Sequence, residues 1–329
     1  MGNAPAGALA APALALAAAA AALFAPPALA CSSCGCGLPG SSSDVSSVGG
    51  AALLFGGESR WLVQSGISFR DITGSFNERG SWAAKPQGST LTTVQGNLGL
   101  TYYPADGYTV GLQAPFAINR LVGAQWGSQG AVSPVDELDG VTGPRQAGGW
   151  GDLNFQASAL LYRGSEDLPA VAAWAGLALP TGSAEGDAAA FTGSGVANGL
   201  IGLSFLKGYG PLELSASAAY QRPLTRPAGA VASAFYIGQA LLGQAQADVE
   251  VFAGWKAGVG INGFVGATGV VDSAPTAATL SKLKVVPSLE WRPTPDEGVR
   301  AAFGADPTVF PGTNAMTDST LYLVYFKYL

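Results

Sequence analysis

A chain of 329 residues with 12% charged residues, 47 Gly, 21 Pro and no His carries little charge for a soluble protein of its size. The net charge of −6 gives no reason to expect a nucleic acid partner. The lack of histidine excludes Ser-His, Cys-His and His-metal catalysis, so the chain is not read as an enzyme.

Residues 1–30 form the long apolar stretch and end in Ala28-Leu29-Ala30, an A-x-A cleavage site just before Cys31. This reads as an export signal, and the mature chain is expected to begin at Cys31 in an oxidising compartment. Beyond it, no apolar run reaches the roughly 18 residues of a membrane helix. Residues 31–58 are Gly/Ser-rich and read as a periplasmic or plug segment. Cys31, Cys34 and Cys36 make a C-x-x-C-x-C cluster there. Thiolates this close suit a soft metal such as Cu(I) or Zn(II), although three ligands without His leave a zinc site open. A Cys31–Cys34 disulfide and lipidation of Cys31 are the other readings; Ala28 stands where a lipobox usually has Leu.

Residues 59–329 read as all-β. Twelve segments alternate apolar and polar residues, the period-two mark of a strand between two environments. They are Trp61–Arg70, Leu91–Tyr103, Tyr108–Asn119, Gly151–Tyr162, Ala170–Leu179, Val196–Phe205, Leu212–Gln221, Ile237–Phe252, Ala257–Val270, Leu283–Arg292, Val299–Asp306 and Thr320–Leu329. In the fourth, Asp152, Asn154, Gln156 and Ser158 share one face, and Leu153, Phe155, Ala157 and Leu161 the other. The fifth is weakly polarised, and the outward face of the twelfth is ambiguous. Each is long enough to cross a bilayer when tilted. Short connections such as 104–107, 208–211 and 253–256 alternate with long ones such as 71–90, 120–149 and 307–319. That is the rhythm of a closed, antiparallel up-and-down transmembrane barrel with tight periplasmic turns and free external loops. Aromatics near strand ends, among them Trp61, Tyr102, Tyr103, Tyr108, Trp150, Tyr162, Tyr220 and Trp291, suit the membrane interface. A soluble β-sandwich would need no such alternation of loop lengths.

The polar faces are the better candidates for function. Glu213, Gln244, Gln246, Asp248 and Glu250 lie on the seventh and eighth strands; Lys284, Glu290, Arg292 and Arg300 lie on the tenth and eleventh. In a closed barrel they project into the lumen with Gln95, Asn97, Asn154, Gln156 and Asp306. There they either tune selectivity or form salt bridges that brace a narrow barrel. Lys284 and Arg292 are expected to face Asp248 and Glu250 two strands away. The long 120–149 loop, with Asp136, Glu137 and Asp139, either folds inward as a constriction or stays an exposed acidic loop.

Three short glycine-rich motifs add a resemblance: Gly149-Trp150-Gly151-Asp152-Leu153, then Gly176-Leu177-Ala178-Leu179-Pro180-Thr181-Gly182, then Thr192-Gly193-Ser194-Gly195. Residues 149–224 resemble the outer-membrane transporter-like barrels known as "putative MetA-pathway of phenol degradation". The C-x-x-C-x-C segment also resembles the start of some barrels of this kind. The resemblance implies an outer-membrane channel for small molecules; the family name guides the choice of solute only weakly.

Together these readings give a monomeric outer-membrane barrel that passes small solutes, aromatic or hydrophobic compounds among them, passively through its lumen. It needs no cofactor apart from a soft metal at the Cys segment. Its partners are the lipid bilayer, the solute and the outer-membrane assembly machinery. Two alternatives stay open: a metal- or redox-linked component using the Cys segment, and a structural barrel with a filled lumen.

Overall fold

A computed structural model describes residues 60–76, 79–126, 132–134, 145–182, 192–225, 237–268, 270–271, 274–275, 279–307, 312 and 316–329. The leader, the three cysteines and the acidic positions 136, 137 and 139 lie outside the described residues. Twelve long strands form the wall: β1 Arg60–Phe76, β2 Thr90–Tyr103, β3 Tyr108–Val122, β4 Leu153–Tyr162, β5 Ala170–Leu179, β6 Asn198–Tyr209, β7 Leu212–Pro223, β8 Ile237–Phe252, β9 Trp255–Thr268, β10 Thr279–Thr294, β11 Glu297–Ala305 and β12 Met316–Tyr328. Each pairs antiparallel with its neighbours in sequence, and β12 pairs with β1 from Leu62↔Tyr328 to Ser75↔Met316. The sheet therefore closes, and no edge is left in the wall. At the seam the first and last strands lock together: Trp61 N–H donates to Leu329 O at 3.1 Å, and Leu329 N–H to Trp61 O at 2.8 Å.

Alternation decides which side chains meet lipid. On β1, Trp61, Val63, Ile67 and Phe69 are exposed on the outer surface, while Leu62, Gln64 and Ile72 are buried inside. Leu98, Val110, Ile201, Val259, Leu289 and Phe303 continue the outer apolar band. The twelfth strand follows the same parity, with Leu321, Leu323 and Tyr325 outward and Phe326 fully buried inside.

The short connections gather at one end of the barrel, where β8 reaches β9 through Ala253 and Gly254 alone. Gly254 takes φ 76°, which disfavours a side chain. A Cβ there would also come within 2.6 Å of Arg292 O. Around this turn end Trp61 stacks on Tyr102 with centroids 4.5 Å apart, and Trp255 on Trp291 at 6.1 Å. With exposed Tyr108, Tyr162, Tyr209 and Phe252 they form a ring of aromatics at the headgroup level. Tyr103 departs from that expectation. Its odd position in β2 turns it inward, where it is 6% exposed beside Leu62 and Phe326.

At the loop end several short strands extend the wall. Trp82–Ala84 pairs with the end of β1, and Arg145–Trp150 pairs with β3 from Leu121↔Arg145 to Phe116↔Trp150. Arg145–Trp150 and β4 behave as one strand interrupted at Gly151-Asp152, where Gly151 N–H donates to Pro115 O at 2.7 Å. Proline supplies no backbone donor at that level, which favours the break.

Candidate functional site: the barrel lumen

The lumen has two unlike walls. On β2–β6 the inward positions are uncharged: Thr93, Gln95 and Asn97 on β2, Gln113 and Asn119 on β3, Asn154, Gln156 and Ser158 on β4, Ala172, Trp174, Gly176 and Ala178 on β5, and Asn198, Leu200, Gly202, Ser204 and Leu206 on β6. Their hydrogen bonds are neutral, as in Thr93 Oγ1–H to Asn119 Oδ1 at 2.9 Å.

Charge collects on β7–β12 and β1. Near the turn end, Arg300 Nη2 donates to Asp248 Oδ1 at 3.0 Å and to Ser288 Oγ at 2.7 Å. Its Nη1 lies 3.6 Å from Glu290 Oε2, and Glu290 Oε1 is held by Arg292 Nε. Gln246 Nε2 donates to Asp248 Oδ1 at 2.9 Å. Gly258 on β9 makes room for this group, since a Cβ there would collide with Asp248 Oδ1. Glu213 and Lys256 pair at 3.2 Å on a more open part of the wall.

Near the loop end, Asp318 is a hub. Its carboxylate lies 3.0 Å from Arg70 Nη2 and 2.6 Å from Lys282 Nζ, and it also pairs with Lys284. Thr320 Oγ1–H adds a hydrogen bond at 2.6 Å. Lys282 further reaches Asp306 at 2.8 Å, and Asp306 accepts the Asp318 N–H at 2.5 Å. The Asp318 side chain is 1% exposed. Buried charge of this kind is tolerable only because every ion is paired and hydrogen-bonded.

Of the residues singled out by sequence, Glu213, Gln244, Gln246, Asp248, Lys284, Glu290, Arg292 and Arg300 all sit on the inward face. Glu250 sits exposed at the turn rim. The expected partners differ. Lys284 pairs with Asp318 rather than Asp248 or Glu250, and Arg292 pairs with Glu290, its own strand's next inward residue. Arg300 supplies the cation for Asp248. Asp318 and Lys282 escaped the sequence reading because both strands were taken to begin later. Continuing the alternation back from Thr320 and Lys284 would have put both on the inner face.

Asp152 also has a different role from the one its position in an alternating run suggested. It lies before β4, fully buried. Oδ1 accepts Gly182 N–H at 3.0 Å, and Oδ2 accepts Ser194 N–H at 2.7 Å and Ser194 Oγ–H at 2.6 Å. Thr181 Oγ1–H donates to Gly151 O at 3.0 Å, and Thr192 Oγ1–H to Trp150 O at 2.8 Å. The three glycine-rich motifs thus converge on one clamp that pins both ends of the β5–β6 loop to the β4 break. Gly182 and Gly193 touch there: a Cβ on Gly182 would lie 2.6 Å from Gly193 Cα.

That clamp falls within residues 116–308, which match the model of the family described as "Putative MetA-pathway of phenol degradation". The chain belongs to this family. Among solved structures, this family member resembles the COG4313 outer membrane channel from Pseudomonas putida F1, with 16% identity and a TM-score of 0.65, over 83% of this chain and 96% of that one. The translocator domain of the autotransporter NalP from Neisseria meningitidis aligns with a TM-score of 0.43 and 9% identity, over 87% of this chain and 95% of that one. The curated proteins contain no match. The fold is that of an outer-membrane β-barrel. Among the described residues, no group of three or more His, Cys, Asp or Glu is arranged to hold a metal ion.

Proposed function

We propose that the barrel is a passive outer-membrane channel for small solutes, aromatic or hydrophobic compounds among them, and carries out no chemistry on them. The turn end would face the periplasm, and assembly would rely on the outer-membrane insertion machinery. The observation that carries the reading is a closed wall whose outer face is apolar and whose inner face carries most of its polar and charged side chains, among buried apolar ones such as Leu62, Leu200 and Phe326. Such a wall is stable in lipid and presents a hydratable interior. The neutral wall leaves the lumen low in charge on one side, which suits uncharged solutes. The charged wall is largely occupied with its own ion pairs.

The test is single-channel recording of the refolded protein in planar bilayers. Discrete conductance steps are expected. Replacing half-exposed Lys256, as in Lys256→Glu, should set two carboxylates beside each other with Glu213 and shift the reversal potential towards cation selectivity. The near-complete burial of Asp318, Glu290 and Arg300 favours a second reading, a structural barrel with a filled lumen, and a lack of conductance steps would decide for it. A soft-metal role for Cys31, Cys34 and Cys36 is a separate proposal, tested by metal stoichiometry before and after changing all three to Ser.

A further inference from the structure

We infer that the loop end of the charged wall carries a binding site for one small monovalent anion, a halide or the carboxylate of a small acid, with the Lys284 ammonium as its contact. The site needs access from the lumen but not passage through the barrel, so it stands apart from the channel reading.

The balance of charge singles this place out. Near the turn end the ion-paired groups of the lumen cancel: Arg292 and Arg300 meet Asp248 and Glu290, and Lys256 meets Glu213. At the hub, three cations, Arg70, Lys282 and Lys284, share two carboxylates, Asp306 and Asp318. One positive charge is left over among the described residues. Thr93, Thr320 and Asn262, which are in register with Arg70 or Lys284 on neighbouring strands, are neutral and do not offset it. The layering of the cluster points the same way. The Asp306 and Asp318 side chains are 2% and 1% exposed, whereas those of Arg70 and Lys284 are each 13% exposed. The carboxylates therefore lie behind, and the lumen meets the cations. A net charge at such low exposure is unfavourable without a counter-ion.

Lys284 also has a donor to spare. An ammonium carries three N–H bonds. Among the described residues, one is taken by Asp318 Oδ1 and one by Thr320 Oγ1 at 3.1 Å, which leaves the third for a ligand. Gly304 of β11 makes this placement possible. A Cβ there would lie 2.8 Å from Lys284 Cδ and 3.2 Å from Tyr322 Cε2. Without one, the lysine stem lies close over β11 and carries its ammonium from β10 towards the inner face of β12. One charge-assisted N–H bond suits a halide or a single carboxylate oxygen. One excess positive charge is neutralised by a monovalent anion and overshot by a divalent one.

Chlorine NMR of the refolded full chain in lipid nanodiscs tests this, with sodium chloride as the probe and empty nanodiscs as the control. Exchange of chloride with a protein site broadens its resonance, so the unmodified protein should add a broadening that saturates as chloride rises. Sodium acetate should displace the chloride and remove the added broadening; sodium sulfate at equal ionic strength should not. Lys284→Met leaves two cations on two carboxylates and should lose the broadening while still giving the heat-modifiable band of a folded barrel. Gly304→Ala pushes the lysine stem aside and should also lose it; this variant decides alone if Lys284→Met does not fold. Lys327→Met removes an exposed rim lysine paired with Glu297 and should keep the broadening. The inference is overturned by no added broadening from the unmodified protein, by chloride that acetate cannot displace or that sulfate displaces equally well, by broadening that survives in Lys284→Met or Gly304→Ala, or by its loss in Lys327→Met. Failure of the channel reading shows separately, as missing conductance steps.

Discussion

The two walls of the lumen solve the problem of an inward polar face differently. On β2–β6 short, neutral side chains share hydrogen bonds with near neighbours, and each can be lost without stranding an ion. On β7–β12 and β1 long charged side chains reach across strands and depend on one another: Asp318 alone joins β1, β10 and its own strand through Arg70, Lys282 and Lys284. One wall is a set of separable neutral contacts. The other is a brace whose members cannot be removed singly, because in a low-dielectric setting an unpaired ion costs more than the pair contributed.

That contrast breaks most sharply at the hub. Asp318→Asn keeps the shape but leaves three cations around an uncharged amide, and should lower stability by about 3–5 kcal/mol. A fall in the guanidinium midpoint of the folded protein in lipid vesicles is the expected result. A midpoint within error of the unmodified protein would show that the charged wall is hydrated and not a brace.

The outer face offers the next largest effect. Leu289 is exposed on the outer face of β10, two residues inside the headgroup-level Trp291, and Leu289→Lys should cost about 1–3 kcal/mol, between the interface and midplane values. Reduced yield of the heat-modifiable band in membranes would show this. Normal insertion would mean the faces of β10 are reversed.

The clamp sharpens the comparison from the neutral side. Asp152→Asn weakens the charge-assisted bonds to Gly182 and Ser194, each such bond being worth about 1.5–3 kcal/mol when lost outright. Because the clamp holds a loop, the loss should appear mainly as earlier proteolysis between β5 and β6, with the barrel still folded. Simultaneous loss of the barrel would show that the clamp supports the wall itself.

Much of the architecture was legible because lipid and water impose opposite demands on successive residues. Ala170–Leu179 and Ile237–Phe252 match their predicted bounds, and the twelve-strand rhythm matches throughout. The inward face is legible where a polar residue alternates with a large apolar one inside a strand, as at Glu290 beside Leu289 and Trp291, and not at a strand break such as Asp152. Partners were not legible, because register between strands depends on the whole circuit of pairings, not on any one segment. Lys284 was therefore matched to the wrong carboxylate. Tyr103 was misread because a rim aromatic looks the same whether it faces lipid or lumen, and only the parity of β2 separates the two. Trp174 gave no signal, since both faces of its strand are small or apolar.

The seam between β1 and β12 has a consequence in time. Residues from opposite ends of the sequence must meet there, with Thr73 Oγ1 and Thr317 Oγ1 3.0 Å apart across a separation of 244 residues. Neighbouring hairpins can form as each strand becomes available, but this pairing waits for the final one and bears the largest loop-closure entropy in the molecule. Until it forms, β1 and β12 are two open edges able to pair with another chain. The Arg70–Asp318 ion pair spans that gap. It therefore acts as a latch engaged at the last stage of barrel assembly, when the incomplete sheet is most exposed to mispairing.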